Sequence, residues 1–199
     1  MEKPEKQLPN QSDPAYQKSI EILEEQIRQC FGKIVWTHTT QEKCSNILNT
    51  RAASIKLWQI ILSAVTTTGI IVSLAGDNKW GTGFSAVISF ILVGINAYVK
   101  DIDMASMAQK HAECAVSLWN LREKYLSLLT DIRSGLIGPD EIVEKRDKLQ
   151  SEVYSVYENA PRSFGKAYQE ASKGLKNQEE QTITNEEINS FLPGNLKKP

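Results

Sequence analysis

Two histidines, three cysteines and two neighbouring aspartates are the side chains with the most chemistry in them, and their spacing gives them little to do. His38 and His111 fall into no Ser/His/Asp or Cys/His arrangement that would activate a nucleophile. His111-x-x-Cys114 presents two metal ligands one helical turn apart, but no second pair completes a tetrahedral set. Asp101-x-Asp103 has the look of a divalent-cation pair. Arg51 and Lys56 give it a simpler role, as one half of a set of helix-pairing ions. Gly81-Thr82-Gly83 lacks the rest of a phosphate-binding loop and opens an apolar helix, where glycine serves close packing. The acids Glu179-Glu180 and Glu186-Glu187 read as a solvated face, with Thr184 and Glu187 spaced to cap a short last turn. Cys30, Cys44 and Cys114 are odd in number and define no disulfide framework. No catalytic residue, metal or cofactor is expected, and the chain is read as a protein that is not an enzyme.

The polar groups that remain sit where polar groups are expensive. Residues 57–76 and 80–99 are each 20 positions without Asp, Glu, Lys or Arg. A hydrocarbon core about 30 Å thick needs roughly 20 apolar residues of helix. The spans are therefore placed at 57–75 and 81–99. Within them Gln59, Ser63, Thr66 and Ser73 share one face of the first helix. Thr82, Ser85, Ser89 and Asn96 share one face of the second. An unsatisfied amide in hydrocarbon costs several kcal/mol, so Gln59 and Asn96 must find a partner or water. These faces are candidate interhelical glue, since hydroxyl and small residues let membrane helices pack. The second candidate, after glue, is a pore wall, which two helices cannot close alone and which therefore requires an oligomer.

The rest of the chain must position this pair of spans. Overall composition is unremarkable for a soluble domain: 199 residues, 41% apolar, 24% charged, formal net charge -1. That balance excludes a polybasic nucleic-acid binder, and no direct nucleic-acid contact is expected. The four-residue turn at 76–79 makes the spans a tight hairpin. A hairpin centred there brings Gln59 level with Asn96 and Arg51 near Asp103. Trp58 and Tyr98 fall at one membrane surface and Trp80 at the other, where amphipathic rings settle. Lys43, Arg51, Lys56, Lys100 and Lys110 lie on one side and a single lysine in the turn on the other. The positive-inside rule then places both termini in the cytoplasm. No short apolar core near Met1 marks a cleavable signal, so the first span is expected to direct its own insertion.

Outside the spans every pattern is helical, giving an all-α membrane protein: a two-span hairpin with long cytoplasmic helical extensions. Residues 1–13 read as disordered and 14–56 as N-terminal cytoplasmic helices. Asp13-Pro14 caps the first, with Ile20, Leu23, Ile27, Phe31 and Ile34 as its apolar stripe. An interruption is expected at Trp36–Thr40, with Thr39 and Glu42 as a capping box that restarts the helix. The second span is expected to continue unbroken to about Arg133, through an alanine seam (Ala105, Ala108, Ala112, Ala115) and then Leu118, Leu121, Tyr125, Leu128 and Ile132. Trp36 and Trp119 approach each other if the cytoplasmic helices stay side by side. The cytoplasmic helical region, residues 100–176, closes with helices near 140–159 and 163–176. Residues 177–199 read as a flexible tail.

This layout resembles the SLATT family of two-transmembrane effectors. The residues that carry the match are 33–53 leading into the first span, the hairpin 57–99, the segment 101–119, and 154–171 (YSVYENAPRSFGKAYQEA). The resemblance implies a membrane effector of a bacterial anti-phage defence system, lodged in the inner membrane. Such an effector would oligomerise, with its long helices bundling as a coiled coil, into a pore that arrests or kills the infected cell. It implies an upstream partner, a sensor, nucleotide synthase or reverse-transcriptase module, and carries over no catalytic residues. The alternative is a membrane-anchored helical scaffold that recruits a cytoplasmic partner without forming a pore.

Overall fold

The computed structural model describes residues 13–76 and 79–197, with side chains described at 13–72 and 80–197. The expectations for residues 1–12, for the turn at Asp77-Asn78 and for the Ser73 side chain lie outside the described residues. In order, the chain forms α1 (Pro14–Gly76), α2 (Lys79–Asp101), α3 (Met104–Arg133), α4 (Pro139–Asn159), α5 (Gly165–Asn177) and α6 (Asn185–Phe191), then a 3-10 turn at Gly194–Leu196. The described residues contain no strand, and the protein is all-α. It divides into two units, one made of residues 1–40 and 114–199 and the other of residues 41–113.

α1 opens as its first residues require. Asp13 Oδ1 accepts from the Ala15 backbone N–H at 3.0 Å, and Pro14 takes the first helical position, where its missing donor costs nothing. The expected interruption near Thr39 is absent, because α1 is a single helix of 63 residues. The reason is local. Thr37, Thr39 and Thr40 donate their hydroxyls to the carbonyls of Lys33, Val35 and Trp36 at 2.9, 3.0 and 2.8 Å. A threonine hydroxyl spent on the preceding turn is not available to cap a new helix.

The expected continuity from α2 to α3 also fails. The helix stops at Asp101 and restarts at Met104, with Asp103 Oδ1 accepting from the Ser106 N–H at 2.9 Å. Asp103 is thus an N-cap, and its short carboxylate competes with the helical backbone for the same donors. α3 ends in a Schellman motif. Gly135 takes φ +69°, its N–H reaches Ile132 O at 3.1 Å, and Leu136 N–H reaches Asp131 O at 3.1 Å. α4 starts on Pro139 and stops where Ala160, preceding Pro161, is held extended.

The first unit has a conventional core. Ile27 and Ile34 of α1 meet Leu118, Leu121, Tyr125, Leu128 and Ile132 of α3 and Ile142 and Leu149 of α4. Each aliphatic side chain removed from water there contributes about 1.5–3 kcal/mol. Burial, with the Cys30 side chain beside it, pushes the Tyr125 hydroxyl up to about 12. α5 lays Ala167, Ala171 and Gly174 inward. Trp36 packs on Tyr168 with ring centroids 5.3 Å apart and Lys176 Nζ 5.4 Å from the indole, so its partner is Tyr168 and not Trp119, which stays half-exposed. The segment read as a tail carries α6, capped by the Thr184–Glu187 box: Thr184 N–H donates to Glu187 Oε2 at 2.8 Å and Glu187 N–H to Thr184 Oγ1 at 3.3 Å.

The second unit holds the hairpin and the helical turns on either side of it. Among its alanines Ala108 is buried, while Ala105 is exposed and Ala112 only half-buried. The buried ridge passes through His111, whose Nδ1–H donates to Gln41 Oε1. Cys44, Ser45 and Leu48 are buried with them.

Candidate functional site in the membrane hairpin

Two helices of the described residues are long and apolar enough to cross a membrane, one within α1 and one beginning at Trp80. Their outer surfaces carry Ile60, Ile71, Phe84, Val87 and Phe90, the last 81% exposed. Such surface suits lipid and would be untenable in water.

Between the helices the packing is close. Thr66, Ser85 and Ile88 are buried. Gly69 faces Ser85 so closely that a Cβ at position 69 would collide with the serine oxygen unless the hydroxyl rotated away. Thr66 donates its hydroxyl to Leu62 O at 2.8 Å. Ser85 Oγ is buried without a hydrogen-bond partner among the described groups. These two residues lie in the seam between the helices.

The other polar positions lie along one flank of that seam. Gln59, Ser63 and Thr67 follow one another by four residues, with Lys56 one turn before them. On α2 Thr82, Ser89 and Asn96 step by seven, with Lys100 one turn beyond. The two rows are tied together where Gln59 Nε2 donates to Asn96 Oδ1 at 2.7 Å. Ser63, Thr67, Thr82 and Asn96 are exposed, and Gln59 and Ser89 are half-exposed. Thr67 donates to Ser63 O at 2.9 Å, which keeps its hydroxyl satisfied within the helix.

The other flank is different in kind. Ile55, Trp58, Leu62, Ile91, Gly94, Ile95 and Tyr98 line a hollow of about 560 Å³ that is almost wholly apolar. Trp58 is one residue from Gln59, and therefore a 100° step around the same helix. The expected interfacial anchors Trp58 and Tyr98 share this hollow, and Trp80 is 88% exposed. A single hairpin thus has an apolar flank and a polar flank, set by which residues fall either side of the seam.

The four expected helix-pairing ions are placed less simply. Lys56 and Asp103 line a hollow of about 160 Å³ with Ala52, Ile55, Val99, Ile102, Met104 and Ala105. The Asp103 carboxylate is the α3 cap, and the described ion pairs include none of Arg51, Lys56, Asp101 or Asp103. They lie instead in the first unit: Arg133–Glu24 at 2.9 Å, Lys124–Glu152 at 2.6 Å, Lys145–Asp131 at 3.3 Å. Sequence reasoning missed both the Asp103 cap and the Gln41–His111 bond. An aspartate directly before the helix-forming run at residues 104–108 was a usable signal for the first. The second joins positions 70 residues apart and has no local signature.

The would-be chemical groups are absorbed by structure. His111 is fully buried, and burial holds its imidazole below the ordinary histidine range, so it is neutral at pH 7. Burial pushes the Cys114 thiol up, away from the thiolate that a metal or a nucleophile would need. Among the described residues no group of three or more His, Cys, Asp or Glu side chains is arranged to hold a metal ion.

One family model matches the chain. It is described as the SMODS and SLOG-associating 2TM effector domain family 4, and it spans residues 23–187. Neither the curated proteins nor the solved structures offer a match.

Proposed function

The chain belongs to the SMODS and SLOG-associating 2TM effector domain family 4, and from that premise we propose that it is the pore-forming effector of a bacterial anti-phage defence system. Membership makes it a membrane effector domain of defence-associated systems. In this reading several hairpins assemble in the cell membrane with their polar flanks turned to a common axis. The apolar flanks and outer faces then meet lipid and neighbouring hairpins. Opening this conduit dissipates the ion gradient and arrests or kills the infected cell. The signal comes from an upstream nucleotide-signalling module, of the kind named in the family's description. The polar positions 59, 63, 89 and 96 form the wall, Trp58, Trp80 and Tyr98 sit at the membrane surfaces, and both termini lie in the cytoplasm.

The observation that supports this reading best is the one-sidedness of the hairpin. Residues that served only as glue would be used up in the seam, as Thr66 and Ser85 are. Ser63, Thr67, Thr82 and Asn96 are instead exposed on one flank, joined across the seam by the Gln59–Asn96 bond. The test is membrane potential, read with a potential-sensitive dye after the full-length protein is induced in bacteria. High expression favours assembly by mass action. The expected result is rapid depolarisation that Ser63→Leu or Asn96→Leu abolishes while membrane insertion persists. Full depolarisation by both variants would show that this flank is not the wall. No depolarisation by the inserted parent, together with retained protective activity when a foreign two-span hairpin replaces residues 57–99, would move the protein to the scaffold reading.

A further inference from the structure

Resting on the pore reading, we propose that the conduit selects anions over cations, and that Lys56 and Lys100 at its mouth are the selecting charges. Ions are sorted in channels by the charge of the rings they pass and by the hydrogen-bonding groups that replace their water. Both kinds of group can be counted on the polar flank.

Between the two lysines the polar side chains of the flank, among the described residues, are Gln59, Ser63, Thr67, Thr82, Ser89 and Asn96, with no carboxylate among them. Lys56 stands three residues before Gln59, and Lys100 four residues after Asn96. Both ammonium groups therefore belong to the row of the Gln59–Asn96 bond, about one helical turn from it. Both lysines are exposed.

The nearby acids do not cancel them. Asp101 is one residue from Lys100 and so a 100° step around α2, away from the row. Asp103 shares the hollow that Lys56 lines, with its carboxylate held as the α3 cap by the Ser106 N–H at 2.9 Å. Each chain thus brings two ammonium groups to this end of the flank against one carboxylate. A ring of several chains multiplies that excess, and a low-dielectric surround focuses its field into the mouth.

The amide pair beside the lysines is balanced. Gln59 and Asn96 together own four amide N–H groups and two carbonyl oxygens. Their mutual bond uses one N–H and one oxygen, leaving three N–H groups and one oxygen without a role in it. Exchanging which amide donates leaves the same count. With two lone pairs on each oxygen, three acceptor sites remain beside the three N–H groups, so the pair favours neither ion and leaves the selection to the lysines.

The experiment is the reversal potential of currents through the purified full-length protein in planar bilayers under a KCl gradient. The parent is expected to reverse towards the chloride equilibrium potential, with a chloride-over-potassium permeability ratio above unity. Lys56→Glu with Lys100→Glu is expected to carry that ratio below unity, and Lys56→Gln with Lys100→Gln to bring it close to unity. Parent currents that reverse towards the potassium potential overturn the inference and leave the pore standing. So does a parent preference for chloride that the double charge reversal does not change. If inserted protein carries no current at any density, the pore reading falls and takes this inference with it. The parent's own reversal needs no variant to fold.

Discussion

His111 shows how a single residue can be structural while looking chemical. Its imidazole is fully buried and bonded through Nδ1 to Gln41, with its pKa lowered from 6.5 by burial. The unfolded chain takes up a proton as pH falls through about 6.5, whereas the folded chain resists until a lower pH. The unfolded state then binds more protons, and stability is lost as pH falls from 6.5 towards the folded value. Thermal unfolding of the detergent-solubilised protein should therefore move to lower temperature on acidification, and His111→Leu should flatten that dependence. An equal slope in parent and variant would assign the effect elsewhere. The cysteines sort by the same logic. Cys44 is fully buried and the Cys114 thiol is pushed up, while Cys30 is half-exposed. A maleimide followed by mass spectrometry should label Cys30 first, and early labelling of Cys44 would mean that this part of the packing opens readily. Sequence reasoning could pair Gln59 with Asn96, because a short turn sets the depth of every residue in both spans. It could not pair Gln41 with His111, since no local rule joins residues so far apart.

Among the elements, helix existence was legible, and so were the ends that Pro, Gly or a capping box marks, at Pro14, Arg133, Asn159 and Thr184. The continuity at Thr39 and the break at Asp103 were not. Periodicity placed the stripes of α1, α3 and α4 because apolar side chains must share a face to be buried. Ends turn on single hydrogen bonds, and these went both ways. The threonines near Thr39 bond back into α1 and continue it, whereas Asp103 turns its carboxylate on the next turn and divides α2 from α3. The Thr184–Glu187 box could be read because both of its bonds lie within four residues. The Asp103 cap is a testable part of this picture. Asp103→Ala should cost about 0.5–2 kcal/mol in stability, the usual range for a lost cap, with Asp103→Asn near neutral. Hydrogen exchange at residues 102–107 should rise in the alanine variant only. The hairpin seam carries a second prediction. Gly69→Ala should be tolerated, since the Ser85 hydroxyl can rotate away from a Cβ, whereas Gly69→Leu places a branched side chain where no space exists. Loss of disulfide cross-linking between cysteines engineered at 59 and 96 would report that the leucine had parted the helices, and unchanged cross-linking would show the seam to be looser than it looks.

For the whole molecule the proposed pore turns on a polar flank that a single hairpin leaves exposed. A hairpin offers hydroxyls, amides and two lysines on one flank and nothing across from them but its own seam. In hydrocarbon that flank is costly for a single copy, and turning it towards the flanks of other copies around water relieves the cost. In the proposed pore, assembly and conduction are the same event, with a closed ring formed as one flank meets its equivalents about an axis. This was only half legible beforehand. The two rows of polar residues were visible, but periodicity in separate helices does not say whether the rows meet on one side of a hairpin or face each other across it. The Gln59–Asn96 bond and the apolar hollow on the other flank decide that. The consequence can be measured in liposomes. If a ring of several chains is the conducting species, the rate of ion leak should rise far more steeply than the amount of inserted protein, because doubling the density multiplies ring concentration by a power equal to the number of chains. Linking two copies in tandem should lower the density at which leak begins. A leak strictly proportional to density, unchanged by tandem linkage, would mean that one hairpin disturbs the bilayer alone, and a ring would no longer be needed.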